Sequence, residues 1–365
     1  MNNNESVFIS AGDISGDIHA GNLARSIKSI SDKTKIFSVG GSELKKVSDI
    51  FLEDIVNVNA FGFFPVKQYF FLKKVFQEIK KCLVDNKICK VVLVDYYGFN
   101  IYIAELAHSL KIPVYYYVTP QIWASRKSRI KKIAKYVSMV FPILPFEQEI
   151  YSKEGIKASF EGNPLIDIVP ETVPDKKIGG KVVIGLFAGS RKNTIKRHLP
   201  VIIDTVKILK EKIDAEFILF SLGKIDACIP NFISVEYGSD FNRRKNIDAA
   251  ICPSGTVSLE NALMGIPMIV MYKLSWANYL LARLIVKIKY ITLANILSGK
   301  EIVPEYIQHN ATPEKISNAL MELLKSENYN RTREELLKFR HQLGEKGVSG
   351  RVAQKILAHG ESNGL

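Results

Sequence analysis

The feature that most limits the fold of this 365-residue chain is a regular alternation of short apolar runs with helix-like segments. In the first half, the apolar runs lie at residues 7–11, 35–39, 91–95, 114–118 and 140–144. Near-continuous apolar strands that alternate with helices indicate a parallel sheet with both faces covered. The first half is therefore predicted to form a doubly wound α/β unit.

The same alternation restarts after a linker. Residues 169–180 (VPETVPDKKIGG) are rich in Pro, Gly and charge, a composition typical of linkers. Two domains also suit the length, since single cores rarely grow beyond about 250–300 residues. We predict an N-terminal domain at 1–172, a C-terminal domain at 181–330 and final helices at 331–365, whose return to the first domain is an expectation. The predicted fold class is α/β, with two doubly wound, Rossmann-like domains facing a cleft.

The composition limits the class of protein. Hydrophobic residues make up 47% and charged residues 24%, which describes a globular chain. The four cysteines show no CxxC spacing and no cluster of metal ligands, so we expect reduced thiols, no metal and no cofactor. No signal-peptide pattern opens the sequence, and no apolar run reaches the ~20 residues of a spanning helix. A cytoplasmic protein is the expectation.

The net charge of +13 favours an anionic partner. Nucleic acid, an anionic membrane face and phosphorylated substrates all fit such an excess. The basic residues cluster at 126–135, 192–197 and 243–245. Each cluster is equally well explained as the solvated face of a helix or loop.

Two segments of the second half combine a strand, a tight loop and a helix start: residues 182–192 (VVIGLFAGSRK) and 251–268 (ICPSGTVSLENALMGIPM). Such units aim backbone N–H groups and a helix N-terminus at an anion. Arg191 can clamp a diphosphate, and Glu260 can accept hydrogen bonds from ribose hydroxyls. These features predict the donor half of a nucleotide-sugar transferase. Its predicted binding residues are Gly189, Ser190, Arg191, Ser254, Gly255, Thr256 and Glu260.

The loop after the first strand carries small and acidic residues. Gly12 and Gly16 permit a sharp turn close to a ligand, although the spacing departs from the G-x-G-x-x-G fingerprint. Asp13 and Asp17 can each cap the helix or orient a sugar hydroxyl, and for Asp17 capping is the favoured interpretation. His19 is interpreted as structural, with catalysis as the alternative. Gly12 and Ser15 are predicted to contact the acceptor.

Asp95 ends the apolar run VVLVD. Ligands of open α/β sheets bind outside the carboxyl ends of the strands, so Asp95 is predicted to lie in the active site. There its carboxylate can take a proton from an attacking hydroxyl. The alternative is an aspartate that caps a loop. Asp13 is the second candidate for the catalytic base.

Residues 61–76 (FGFFPVKQYFFLKKVF) interleave aromatic side chains with lysines. An apolar patch rimmed with lysine is typical of an interfacial membrane contact. Simple core packing is the alternative. The residues predicted to contact the membrane are Phe61, Phe63, Phe64, Val66, Lys67, Phe70, Phe71 and Lys74.

Taken in order, these motifs resemble the lipid-A-disaccharide synthase family over nearly the whole chain. Many motifs in one order are more specific than any single motif. The residues that carry the resemblance are AGDISGD (11–17), AFGFFPV (60–66), VDYYGFN (94–100), YVTPQIWA (117–124), RIKKIAK (129–135), LPFEQEIY (144–151), GNPLID (162–167), AGSR (188–191), SGTVSLENAL (254–263) and ANILSGKEIVPEYIQ (294–308).

The resemblance implies an inverting glycosyltransferase of the glycosyltransferase B architecture. It would join UDP-2,3-diacylglucosamine to 2,3-diacylglucosamine 1-phosphate at the inner membrane surface, release UDP and bind no nucleic acid. Asp95 matches the family aspartate proposed as catalytic. Arg191, Glu260 and Asn295 match residues expected at the UDP-sugar site.

The chain departs from the family pattern at several positions. Asp13 stands where Glu is usual, Gly98 replaces a second Asp, and Lys300 replaces an Arg. Two alternatives stay open: another UDP-sugar transferase or epimerase of this fold, which would share the paired α/β halves, and a non-catalytic basic protein that binds lipid or nucleic acid, which would share the charge. A homodimer is also left open.

Overall fold

The computed structural model describes residues 5–56, 65–120, 128–171, 180–238, 240–276, 279 and 289–359. The chain forms two compact units. One comprises Met1–Asp167 with Leu343–Leu365, and the other comprises Ile168–Gln342. Each unit contains a six-stranded sheet in which every strand pair is parallel. The predicted fold class of two Rossmann-like α/β domains is confirmed.

The strands of the first unit are β1 Ser6–Ala11, β2 Lys35–Gly40, β3 Ile50–Asp54, β4 Lys90–Val94, β5 Val114–Tyr117 and β6 Met139–Phe141. Their order in the sheet is β3-β2-β1-β4-β5-β6. This is the strand order of dinucleotide-binding sheets, in which strands are added outward on one side of β1 and then on the other, so that the strand order reverses between β1 and β4. Ligands of such sheets bind at that reversal, outside the carboxyl ends of the strands.

The helices of this unit are α1 Ile14–Ile30, α2 Ser42–Lys45, α3 Pro65–Asp85, α4 Tyr97–Ser109, α5 Ser128–Tyr136, α6 Pro145–Lys153, α7 Leu165–Ile168, which spans the junction of the units, and α14 Val348–Ala358. Neither β3 nor α3 was among the elements predicted from the sequence. The strand β3 lies at the sheet edge and is only half-buried, and its apolar run covers only residues 50–52, too short to stand out in the sequence. The helix α3 lies in the segment interpreted as a membrane contact.

Both faces of the first sheet are buried, as continuous apolar strands require. Phe8 packs in a cluster with residues of α3, α4 and α5. Its neighbours Val7 and Ile9 pack in a second cluster with residues of α1 and α14. The helix α14 is anchored by Asp167, whose carboxylate accepts three backbone N–H bonds of 2.8–3.1 Å at the helix start.

The strands of the second unit are β7 Val182–Phe187, β8 Ala215–Ser221, β9 Ile233–Tyr237, β10 Ala249–Cys252, β11 Met268–Tyr272 and β12 Glu305–Ile307. Its helices are α8 Lys192–Lys212, α9 Phe241–Arg244, α10 Thr256–Leu263, α11 Leu293–Ser298, α12 Pro313–Leu323 and α13 Ser326–Gln342. The order β12-β11-β10-β7-β8-β9 repeats the topology of the first sheet. The reversal here lies between β7 and β10.

No helix in the described ranges is both long enough and apolar enough to cross a bilayer.

Candidate active site

Asp13 and Asp95 lie at the reversal point of the first sheet. Ala11 and Val94, the last residues of β1 and β4, are paired in register, so the two loops leave neighbouring strands side by side. Asp13 caps α1, accepting the N–H of Gly16 at 2.7 Å. The carboxyl of Asp95 hydrogen-bonds to that of Asp13. The structure thus brings both predicted catalytic residues together.

This contact changes the acidity of Asp95. Burial, the negative charge of Asp13 and the hydrogen bond between the two carboxyls raise the pKa of Asp95 from 3.8 to about 7. A carboxyl with a pKa near neutral is a stronger base than an ordinary aspartate, and at pH 7 much of it is still ionised. The pair can therefore accept a proton from a hydroxyl group.

The backbone of Asp95 is held in an uncommon conformation. Asp95 has φ 48° and Tyr96 has φ 44°, in the left-handed region that non-glycine residues rarely adopt. The carbonyl oxygen of Asp95 accepts hydrogen bonds from Asn100 Nδ2 at 2.9 Å and from the Tyr116 hydroxyl at 2.6 Å. Such strain persists only where surrounding contacts hold it, and it is typical of functional sites.

Asn100 and Tyr116 were not among the predicted site residues. Asn100 is fully buried, and its side-chain oxygen accepts a bond from Ser10 Oγ at 2.7 Å. A buried amide that bridges β1 to the loop after β4 fixes the strand ends that carry both carboxylates. The signal for Asn100 was present in the motif VDYYGFN. Tyr116 gave none, because inside an apolar strand it is indistinguishable from core.

The predicted acceptor residues lie at the same edge. A Cβ on Gly12 would stand 2.0 Å from the Tyr96 ring, so the close approach of this ring requires glycine. Ser15 Oγ lies 3.4 Å from His19 Nε2. Burial lowers the pKa of His19 to about 4, so its ring is neutral, which supports the structural interpretation.

Asp17 has a capping role. Its buried carboxylate accepts the N–H groups of Gly41 and Glu43, both at 2.8 Å, and of Leu44 at 3.2 Å. These are the orphan donors at the start of α2. Asp17 therefore caps a neighbouring helix, which occupies its oxygens and argues against the alternative of orienting a sugar hydroxyl.

In the second unit, the Gly189–Arg191 loop leaves β7 at the reversal point. Gly189 has φ 108°, and a Cβ there would meet Thr194 Cγ2 at 2.8 Å. Ser190 and Arg191 are exposed, and Arg191 is the N-cap residue of the 21-residue helix α8. An exposed arginine at a helix N-terminus suits an anionic ligand.

The loop at Ser254–Thr256 leaves β10, the strand paired with β7. Gly255 has φ 142°, and its N–H donates to Ser258 Oγ at 3.1 Å. The hydroxyl of Ser254 donates to the carbonyl of Ile291 at 2.6 Å. Thr256 is exposed and begins α10. Part of this loop's hydrogen-bonding capacity is thus used within the chain.

Glu260 is paired with a buried arginine. Arg244 Nη1 donates to Glu260 Oε2 at 2.7 Å, and Arg244 is only 3% exposed. The interpretation of residues 243–245 as a solvated basic cluster is therefore wrong for Arg244, whereas Arg243 is exposed and pairs with Glu236. The sequence carried no signal for this difference, because the two arginines are adjacent.

Asn295, predicted at the UDP-sugar site, is completely buried. Its amide donates to the carbonyl of Val303 at 2.8 Å and to Glu305 Oε1 at 2.9 Å, and its oxygen accepts the N–H groups of Ile302 and Val303. These contacts use both amide protons and the oxygen. They give the side chain a role in holding the loop before β12.

The predicted membrane contact is only partly visible. Phe61, Phe63 and Phe64 lie outside the described residues, as do the side chains of Val66 and Lys67. On α3, Tyr69 and Phe70 are each 63% exposed and Lys74 is exposed, whereas Phe71 packs against the core. The helix therefore has one buried face and one exposed face that carries aromatic rings.

Among the described residues, no group of three or more His, Cys, Asp or Glu side chains is placed to hold a metal ion.

Comparison with known proteins decides the family. A sequence model described as lipid-A-disaccharide synthetase matches residues 7–357. This chain belongs to the lipid-A-disaccharide synthase family. The lipid-A-disaccharide synthase of Trichlorobacter lovleyi is 32% identical over 372 residues, covering 96% of this chain and 97% of that protein. The Coxiella burnetii enzyme of the same name is 32% identical over 343 residues, with coverages of 89% and 90%.

Solved structures share the fold of this synthase-family chain at low identity. The UDP-GlcNAc 2-epimerase from Neisseria meningitidis, bound to UDP-GlcNAc, superposes with a TM-score of 0.65 at 12% identity and covers 97% of this chain and 100% of that chain. The calicheamicin glycosyltransferase CalG4 gives a TM-score of 0.63 at 12% identity, with 98% of both chains covered. Membership of the family makes the chain a glycosyltransferase of lipid A disaccharide synthesis, and the alternatives are not favoured.

Proposed function

We propose that this chain condenses UDP-2,3-diacylglucosamine with 2,3-diacylglucosamine 1-phosphate, forming the β-1,6-linked disaccharide 1-phosphate and UDP. The observation that carries the proposal is the hydrogen-bonded pair of Asp13 and Asp95 at the reversal point of the first sheet. Family membership supplies the reaction, and this pair supplies a base with a pKa suited to it.

In the proposed mechanism, Asp95 accepts the proton of the acceptor 6-hydroxyl as that oxygen attacks the anomeric carbon of the donor. The bond from the anomeric carbon to the UDP oxygen breaks, and inversion follows from attack opposite the leaving group. Asp13 supports Asp95 by raising its pKa. The acceptor contacts Gly12 and Ser15.

The second unit is proposed to bind the donor. Arg191 and the N–H groups of the Gly189–Arg191 and Ser254–Thr256 loops take the diphosphate, and they stabilise the charge that gathers on departing UDP. The exposure of Arg191 and the positive φ of Gly189 support this assignment. Glu260 is proposed to accept hydrogen bonds from the ribose. Asn295 contributes by holding the loop before β12.

The test is UDP release from the two acylated substrates by wild type, Asp95→Asn and Asp85→Asn. Asp85 is an exposed carboxylate at the end of α3, so its variant is the matched control. Disaccharide formation by wild type and Asp85→Asn, and its loss in a folded Asp95→Asn, supports the proposal. Full activity of Asp95→Asn would show that another residue is the catalytic base. Efficient turnover of unacylated UDP-GlcNAc would instead favour another transferase or an epimerase.

We further propose that the exposed face of α3 contacts the anionic inner membrane surface, which makes the enzyme a peripheral membrane protein. Tyr69 and Phe70 project their rings, with Lys73 and Lys74 beside them on the same helix. The test is co-sedimentation with vesicles of phosphatidylglycerol and phosphatidylethanolamine. Tyr69→Ser/Phe70→Ser should reduce binding at unchanged stability. Unchanged binding would contradict the proposal, and unfolding would indicate core packing.

A further inference from the structure

Arg244 is a buried cation that lies between the end of β7 and the helix α10. Its two terminal nitrogens donate to consecutive residues of that helix: Nη1 to Glu260 Oε2 and Nη2 to Asn261 Oδ1, each at 2.7 Å. Its guanidinium carbon lies 5.1 Å from the centroid of the Phe187 ring and 5.0 Å from that of Phe241. The two aromatic rings and the two hydrogen bonds together fix the position of the Arg244 guanidinium.

The pairing with Arg244 leaves the two carboxylate oxygens of Glu260 in different surroundings. Oε2 is engaged by Arg244, whereas Oε1 makes no hydrogen bond or ion pair within the described part of the chain. The Glu260 side chain is 17% exposed, so the carboxylate is reachable from solvent without being loosely solvated. A carboxylate with one oxygen fixed and one open is a preorganised acceptor for hydroxyl donors.

We propose that Arg244 is a positioning residue that sets selectivity for ribose, by holding Glu260 in the orientation that accepts hydrogen bonds from the ribose hydroxyls of the donor. This inference rests on the proposed function, in which Glu260 meets the ribose. Arg244 itself does not touch the donor.

The position in the fold supports this role. Phe187 is the last residue of β7, and the proposed diphosphate loop begins two residues later at Gly189. The ring of Phe187 is stacked on Phe220 at 5.1 Å, which anchors it to the neighbouring strand β8. Arg244 therefore ties Glu260 to the same strand end that carries the proposed diphosphate loop. Ribose and phosphate contacts would then be kept at a constant spacing.

A lysine at position 244 cannot make the contacts that the Arg244 guanidinium makes. A lysine ammonium lacks the planar fork that reaches two acceptors at once and stacks between rings. Arg244→Lys should therefore keep the charge and part of the packing but orient Glu260 poorly. Arg243 provides a matched control. It is the preceding residue, it is exposed, and it pairs with Glu236 and not with Glu260.

The experiment compares inhibition of the synthase reaction by UDP and by 2′,3′-dideoxy-UDP. The ratio of the two inhibition constants isolates the ribose hydroxyls. Wild type and Arg243→Met should prefer UDP by about tenfold or more, as expected for a site built to hydrogen-bond a hydroxyl. Arg244→Met should show a ratio near one, and Arg244→Lys an intermediate ratio. Thermal unfolding shows that each variant is folded.

The outcomes separate the two proposals. Wild type that fails to bind UDP would overturn the proposed function and the inference together. Wild type that binds UDP without discriminating the dideoxy analogue, or a folded Arg244→Met that keeps full discrimination, overturns the inference alone. If Arg244→Met does not fold, Arg244→Lys decides: combined with Glu260→Gln, it should give the same ratio as Glu260→Gln alone, because Arg244 acts through Glu260. A ratio in the double variant that falls below that of Glu260→Gln alone would contradict the inference.

Discussion

The hydroxyl of Tyr116 donates a 2.6 Å hydrogen bond to the backbone carbonyl of Asp95. Tyr116 is fully buried in β5, and Asp95 follows directly on the neighbouring strand β4. The catalytic candidate is thus held by a side chain from the core, through its backbone and not through its carboxylate.

Tyr116→Phe should lower kcat about tenfold and leave KM nearly unchanged, because the left-handed backbone at Asp95 loses one of its two side-chain donors. The free energy of unfolding should fall by about 1 kcal/mol, the typical net value of one hydrogen bond. Tyr136→Phe, which removes an exposed bond to Glu105, is the control and should leave kcat unchanged. Steady-state kinetics and urea unfolding measure both effects. An unaltered kcat in Tyr116→Phe would show that Asn100 suffices.

The pH dependence of the reaction should report the carboxyl pair. The base must be ionised, so kcat/KM should rise with pH and level off above about pH 7, the pKa of Asp95. Asp13→Asn removes a negative charge that raises this pKa, so the midpoint of the rise should move to lower pH. A midpoint that stays in place would mean that Asp13 does not influence the titrating group.

Asp95→Asn should stabilise the fold at high pH. The folded pKa lies above the ordinary value of 3.8, so the wild type loses stability as pH rises from about 4 to 7 and regains none above it. The amide does not titrate, so the gain of the variant should grow over this window to on the order of 2–4 kcal/mol. Urea unfolding at pH 5 and pH 8 measures the difference. An equal gain at both pH values would contradict the pKa.

His198 contacts the residue that precedes the proposed diphosphate loop, and its titration should lower the stability of the fold at low pH. The ring is fully buried: Nδ1 lies 3.2 Å from the carbonyl of Ala188, and Nε2 accepts the N–H of Lys273 at 3.0 Å. Burial lowers its pKa, so stability is present above about pH 6.5 and is lost as pH falls through the lower folded value.

His198→Ala should therefore weaken UDP binding several-fold and remove this part of the acid sensitivity. His309, which is exposed, provides the control as His309→Ala. Isothermal titration with UDP at pH 7.5 gives the affinities, and unfolding between pH 5 and 7 gives the stability. Wild-type UDP affinity in His198→Ala would show that the loop holds its shape without the ring.

Gly12→Ala should lower activity, whereas Gly98→Ala should raise stability and leave activity unchanged. A Cβ on Gly12 would enter the Tyr96 ring, so the variant must displace Tyr96 and with it Asp95, and activity should fall at least tenfold. A Cβ on Gly98 meets nothing within 4 Å. Since Gly98 lies in α4, alanine there should stabilise the helix by about 1 kcal/mol at unchanged activity. Activity and melting temperature distinguish the two.

Much of the fold was predictable because its signals are local. The apolar runs that became β1, β4, β7 and β10 are continuous, and small residues mark the loops that follow β1, β7 and β10. The strand β3 was missed because an edge strand needs no continuous apolar run. The helix α3 was missed because aromatic residues lie on both its buried and its exposed face, so its sequence lacks a clear apolar stripe.

By itself the sequence determined which strand ends carry the candidate site residues: Asp13, Asp95 and the glycine loops follow apolar runs, and parallel sheets bring such ends to one edge. Only the tertiary structure decided which polar side chains are available. It buried Arg244 beside exposed Arg243, used the amide of Asn295 inside the fold, and directed Asp17 to α2. The physical reason is that burial and pairing depend on residues far apart in the chain, whereas strand ends are defined by neighbours in sequence.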